Sequence, residues 1–520
     1  MAEQVSPALE GGKDVITHCT CNVKNKNYSV SLTNGELTWH IAGNTEQKEI
    51  QTVRTVDILS VSLQSSTKQN SNNDSVCVSY VRQEKKYILK SCSVVFTAGD
   101  LQLIGNLHQQ ITDVIRNVGQ KPKRLLVLIN PVSGRSRGRT DYEQKVAPIF
   151  RDAGIDTDVI VTEKAHHCEE ILSTYDIKSV NGLVLVGGDG LYHEAVNALM
   201  KKLASEQGLN VDDPDETLPS IDLPMGLMPC GTGNGIASDC YGNKDVTTAA
   251  LSIAIGYQYP GNMMSVHSGN KLIAYSIVLA GYGLWGDLMY AAESRRGQGL
   301  WRYQIAIMQQ MLMKPYRRVN LTIEYTSREI REKQNDREVN VQTKDEMDNT
   351  DIAGNMKETP DSTAQPDAVT SKNGFHSATV KENVIGALIS LMTRSAAFTS
   401  TGEPALTSAG EPDVSQMMMC LNKSSRLMNL ISFLFQMMTL NYNAIDRRDD
   451  ITVLPGKQWT VKLEDPSQPE TENWELEHIM SIDGEFFRLP KPEFQAKLLY
   501  DKIKLFSNMP YATKREMKKT

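Results

Sequence analysis

The chain has 520 residues, room for two or three domains with a sizeable core. A net charge of −7 argues against broad, non-specific binding of nucleic acid, and 40% hydrophobic with 22% charged residues is the balance of an ordinary globular protein. Its 8 cysteines show no paired zinc spacing, no apolar run reaches the length of a membrane span, and the polar stretch Met1–Asp14 is unlike a signal peptide. The expectation is a reduced, cytoplasmic chain.

Short β-like runs alternate with polar turns from residue 15 to 96. Tyr28-Ser29-Val30-Ser31-Leu32, the turn Thr33-Asn34-Gly35 and Leu37-Thr38-Trp39-His40-Ile41 set the pattern, which Val76–Tyr80 and Tyr87–Leu89 continue. Cys19 and Cys21 fall on one face of such a strand. Residues 99 to 118 predict an amphipathic helix with Leu101, Ile104, Leu107, Ile111 and Ile115 on one face. Residues 1–118 therefore form a β module closed by a helix. Its charged loops carry Lys24, Lys26, Lys48, Arg54, Lys85 and Lys86.

The basic linker Lys121-Pro122-Lys123-Arg124 leads into alternating strands and helices, the pattern of a parallel α/β sheet, over residues 121–258. Three apolar runs there end in glycine-rich turns. They are Leu125–Ile129 before Asn130-Pro131-Val132-Ser133-Gly134, Leu183–Val186 before Gly187-Gly188-Asp189-Gly190, and Met225–Pro229 before Cys230-Gly231-Thr232-Gly233-Asn234-Gly235. Glycines let backbone approach a ligand, and the N–H groups at a helix start attract phosphate. Three such turns predict one phosphate-cradling sheet edge. Asp189, a carboxylate at a helix start, is suited to take a proton from an alcohol. No Walker A string and no protein-kinase catalytic loop occurs.

Past Met263 the pattern turns to β runs such as Leu272–Leu279, and residues 259–510 read as a β-rich domain. Residues 327–380, polar and almost free of aromatics, read as a disordered insertion. Arg426–Met438 is a strongly apolar helical stretch, a core or lipid-contacting helix with calmodulin as an alternative partner. Asp483-Gly484-Glu485 brings two carboxylates together, and a pair of that kind suits Mg²⁺. His166, His167 and His193 form no metal-ligand set.

Asn130-Pro131, the Gly187–Gly190 turn and the Gly231–Asn234 turn, in that order, resemble the diacylglycerol-kinase catalytic domain shared by lipid kinases. Tyr142–Pro148, Ile160–Glu163, Gly281–Asp287 and Asp483–Glu485 extend the likeness from about Lys121 to Phe506. The resemblance implies a multidomain α/β plus β fold: a pleckstrin-homology-like module, an α/β nucleotide-binding domain and a β-sandwich-like C-terminal domain. It implies ATP and Mg²⁺ as cofactors and a ceramide-like lipid as substrate, with sphingosine and diacylglycerol as alternatives. A non-catalytic lipid-binding protein and a kinase of NAD are the rivals from other classes. The β module is then expected to meet membranes, through a phosphoinositide, on an intracellular or plasma membrane surface.

Residue by residue, the resemblance makes Asp189 the base and puts Gly187, Gly188, Gly190 and Asp287 beside the lipid. It puts ATP against Asn130, Pro131, Val132, Thr162, Glu163, Lys164, Ala165, His166, Glu194, Gly231, Thr232, Gly233, Arg296, Arg302, Asp483, Gly484 and Glu485. Asp483 and Glu485 are the expected metal ligands.

Overall fold

A computed structural model describes residues 15–43, 50–64, 74–117, 121–293, 295, 298, 301–302, 305–306, 308–309, 319–328, 367–372, 375–391, 417–422, 450–464 and 479–508. The first seven strands are β1 (Val15–Val23), β2 (Lys26–Thr33), β3 (Glu36–Ile41), β4 (Gln51–Arg54), β5 (Ile58–Gln64), β6 (Ser75–Lys85) and β7 (Ile88–Thr97). They make one antiparallel sheet in the order β4-β3-β2-β1-β7-β6-β5. Helix α1 (Leu101–Asn117) closes it, with the Asp100 carboxylate accepting the Gln102 N–H at 2.8 Å. The predicted helix face is right but rotated: Ile104, Leu107, Ile111 and Val114 are buried, whereas Leu101 is 52% exposed. Cys19 and Cys21 do share a face, with their sulfurs 3.8 Å apart.

Three side chains of this module, Leu59, Val81 and Leu89, lie in the same hydrophobic cluster as the α/β core that follows. The Asn243 amide donates to the Tyr87 carbonyl at 2.6 Å, and the Leu89 N–H donates to Thr248 Oγ1 at 3.2 Å. Arg54 pairs with Asp57 at 2.7 Å and lies over the Tyr257 ring. Removing residues 1–117 therefore strips three core side chains, each contributing about 1.5–3 kcal/mol. The remaining chain is expected to melt at a lower temperature and to lose activity in detergent as well as on vesicles. A truncated chain with full activity in detergent would contradict this.

Parallel strands β8 (Arg124–Ile129), β9 (Asp156–Val161), β10 (Gly182–Gly187) and β11 (Ile221–Pro229) alternate with helices. These helices are α2 (Gly138–Asp141), α3 (Ala147–Asp152), α4 (His167–Thr174), α5 (Asp189–Glu206), α6 (Gly235–Tyr241) and α7 (Val246–Ile255). Every residue of β10 is buried, as continuous apolar runs covered on both faces require. Then come β12 (Gln258–Ser268), β13 (Lys271–Ser276), β14 (Leu279–Gly283), α8 (Leu284–Glu293), β15 (Val319–Arg328), β16 (Asp367–Lys372) and β17 (Phe375–Ser390). The last strands are β18 (Met417–Asn422), β19 (Ile451–Pro455), β20 (Gln458–Glu464), β21 (Ile479–Ile482), β22 (Glu485–Arg488) and β23 (Glu493–Phe506).

Two expected boundaries shift. The sheet is not closed at residue 258: β23 pairs in parallel with β11 and antiparallel with β12 and β20, so one mixed sheet runs through both halves. The insertion expected over 327–380 is narrower, because β15 pairs with β17 from Val319 opposite Val384 to Arg328 opposite Phe375. Val380 packs against the second core cluster, which gives that strand its burial. Residues 329–366, and the apolar stretch 426–438, lie outside the described residues.

Candidate active site

Backbone register brings the three glycine turns together. Ile129 lies opposite Val186, and Gly187 opposite Pro229, so β8, β10 and β11 end at one level. Their turns touch directly. A Cβ on Gly231 would stand 2.3 Å from Gly188 Cα, and one on Gly134, where φ is +57°, would stand 2.2 Å from the Cys230 carbonyl oxygen. Only glycine permits either approach. Asn234 closes its own turn from the left-handed region, with φ at 56°. Its side-chain oxygen accepts the Gly231 N–H and its amide donates to the Gly231 carbonyl, both at 2.9 Å. Asn130 forms an Asx turn by accepting the Val132 N–H at 3.1 Å, which leaves Val132 76% exposed.

Asp189 begins α5, directly after the Gly188 turn. Its two carboxylate oxygens accept the N–H groups of Gly235 and Ile236 at the start of α6, both at 3.0 Å. Burial pushes its pKa above the ordinary carboxylate value. The two N–H groups pull against that, the nearby Asp483 charge adds to the rise, and Lys244 opposes it.

Thr162 is buried and donates to the Ile129 carbonyl at 3.3 Å, so its hydroxyl closes the β8–β9 edge. His166 sits in the left-handed region as the N-cap of α4, and the exposed Lys164 pairs with Glu170 at 2.7 Å. Glu194, expected on the nucleotide, accepts the Glu169 N–H at 3.1 Å. Four first-turn donors of α4 need partners, and Glu194 serves two of them, the N–H groups of Cys168 and Glu169. Asp287 stands in the first turn of α8, which packs on β14 and β21. Arg302 is half-buried; Arg296 lies outside the described residues.

The expected metal pair divides. Asp483, with φ at 52°, accepts from Ser276 Oγ at 2.8 Å, from the N–H groups of Ile277, Val278 and Leu279 at 2.8, 2.9 and 3.0 Å, and from His193 Nδ1 at 2.9 Å. Its side chain is 0% exposed. A carboxylate with five donors has no lone pair left for a cation, so Asp483 does not fit as a metal ligand. Glu485 lies apart from that knot of donors: its Oε1 is 3.0 Å from where a Cβ on Gly190 would stand, beside the glycine cradle. Among the described residues no three His, Cys, Asp or Glu side chains cluster as a metal site.

Residue type alone passed over His193 and Asn197. Asn197 exchanges hydrogen bonds with Tyr275, donating to its carbonyl at 2.9 Å and accepting its N–H at 2.8 Å. Two polar residues at i and i+4 among the apolar residues of Leu191–Met200 in this helix were the available signal.

Residues 124–266 match the diacylglycerol kinase catalytic domain family, and this is the class that the parallel sheet edge and its glycine cradle agree with. Ceramide kinases are homologues of this chain. That of Homo sapiens is 34% identical over 226 residues, 44% of this chain and 42% of that protein; that of Mus musculus is 34% identical over 236 residues, 45% and 44% respectively. Sphingosine kinase 1 of Arabidopsis thaliana is 28% identical over 209 residues, 39% of either chain. The matched region thus spans less than half the length of these relatives. Among solved structures, a diacylglycerol kinase from Bacillus anthracis str. Sterne has a TM-score of 0.41 at 11% identity, covering 75% of this chain and 99% of that one.

Proposed function

We propose that the protein is an ATP-dependent lipid kinase that phosphorylates the primary hydroxyl of ceramide to give ceramide 1-phosphate, with sphingosine or diacylglycerol as alternative acceptors. The observation that carries this reading is one half-buried carboxylate, Asp189, at the mouth of a cradle of three glycine turns. The ceramide kinases among its homologues favour the lipid over a soluble acceptor.

In this reading Asp189 accepts the proton of the lipid hydroxyl, and Asp287 contacts the lipid head group. Asn130, Pro131, Val132 and Gly231–Gly233 hold the nucleotide phosphates, with Arg296 and Arg302 neutralising charge. Thr162–His166 border the base and ribose. Mg²⁺, held by Glu485 and the phosphates, would supply further neutralisation of the transferred group. The N-terminal sheet and helix act as a pleckstrin-homology-like domain, and the C-terminal strands act as a sandwich-like lipid domain.

Labelled ATP offered with ceramide, sphingosine, diacylglycerol and NAD tests the activity. Label in ceramide is expected. Label only in NAD, or in none of them, rejects the reading.

Membrane recruitment belongs to the same proposal. Arg54 is committed to Asp57, whereas Lys24 and Lys26 are exposed at the β1–β2 turn. Changing both to glutamate is expected to weaken sedimentation with phosphoinositide vesicles and leave activity in detergent unchanged. Equal sedimentation would remove these lysines from the membrane surface.

A further inference from the structure

Asp483 joins three parts of the chain that are far apart in sequence. It opens the β21–β22 turn, which leads to Glu485 two residues on. Its carboxylate gathers the three consecutive N–H groups of Ile277, Val278 and Leu279, which break the predicted run 272–279 into β13 and β14. It also meets His193, one turn along α5 from Asp189, at 2.9 Å. An ionised carboxylate only accepts, so His193 Nδ1 carries the proton in this contact. Asn197, one turn further, fastens the same face of α5 to Tyr275.

We propose that Asp483 and His193 are positioning residues that lock α5, and with it Asp189, at a fixed distance from the Ser276–Leu279 turn and the hairpin bearing Glu485. The reading of Asp189 as the base underlies this. The lock is buried, so it contacts neither nucleotide nor lipid. Its effect is to keep the α5 start, with Asp189 and Gly190, in register with Glu485, whose Oε1 lies 3.0 Å from where a Cβ on Gly190 would stand. Loss of the His193 donor leaves Asp483 bonded to Ser276 and the Ile277–Leu279 N–H groups but cuts its hydrogen bond to α5, and a shift of that helix by about 1 Å can cost on the order of 10²-fold in rate without weakening ligand binding.

Two substitutions at His193 separate the lock from bulk packing. His193→Asn offers an amide N–H near the place of Nδ1; His193→Leu fills the space and offers none. His193→Leu is expected to lower kcat by about ten- to a hundred-fold. Its Kd for ATP and its half-saturating Mg²⁺ should stay at wild-type values, and His193→Asn should recover most of kcat. Hydrogen exchange at Ile277–Leu279 and at the first turn of α5 should quicken in the leucine variant and not in the asparagine variant.

If His193→Leu fails to fold, Ser276→Ala removes a donor from the other side, and a lower kcat with faster exchange at Ile277–Leu279 is expected. Equal kcat and equal exchange in the two His193 variants overturn the proposal. A clear rise in the Mg²⁺ requirement also overturns it, by returning Asp483 to the metal. A wild-type chain that labels no lipid would end the functional reading alone, because the exchange measurement reads the lock without turnover.

Discussion

Asp189→Asn is expected to lower kcat by about 10²–10⁴-fold, the usual cost of losing a general base. The amide cannot take the proton of the lipid hydroxyl. It also keeps only one acceptor oxygen, whereas Gly235 and Ile236 each present an N–H at 3.0 Å. One of those donors is left facing an NH₂ group, at a cost of about 1–3 kcal/mol in stability. A lower melting temperature should therefore accompany the lost turnover, while the Kd for ATP moves only a few-fold. Near-normal kcat in a folded Asp189→Asn chain would remove the base assignment.

The pH profile gives an independent check. Asp189 works ionised, and burial raises its pKa. The acid limb of kcat/KM should thus fall above the ordinary carboxylate value of about 3.9, with activity lost as pH drops through it. A limb at or below that value would contradict the assignment.

Gly231→Ala should strike the nucleotide instead. The added methyl would lie 2.3 Å from Gly188 Cα and 2.9 Å from Asn234 Oδ1, and the first of these is backbone that cannot swing away. Overpacking of this sort costs about 1–3 kcal/mol. Expressed on binding, that is about ten- to a hundred-fold in Kd for ATP. Gly105→Ala is the control: it lies in α1 with nothing within 4 Å of its added Cβ, and it should leave the affinity alone. Unchanged affinity in Gly231→Ala would mean that the cradle holds something other than the nucleotide.

The three turns were legible because their chemistry is local. An apolar strand, a glycine turn and a helix start can be read within ten or so residues, and Asp189 announces itself by its glycine neighbours. The N-terminal strands were legible for the same reason, through their period-2 alternation. What could not be read were partners hundreds of residues away. Asp483 and Glu485 look alike as an acidic pair, and only the folded chain shows that one faces three backbone N–H groups and the other the cleft. Glu194 also caps the open start of α4, a demand invisible until both helices are set side by side. The insertion was overextended because polar strands such as Asp367–Lys372 carry little hydrophobic signal and are held by their pairing to β17.

The position of β23 bears on how the protein is made. The strand nearest the end of the described chain is central in the sheet, seated between β11 and β20 and also paired with β12. On a ribosome, β8–β11 emerge hundreds of residues before the neighbour that completes their edge. Until residues 493–506 appear, Ile221, Met225 and the strand around them present open backbone to any passing chain. The nascent protein must keep that edge from pairing wrongly from the emergence of Pro229 to that of Glu493.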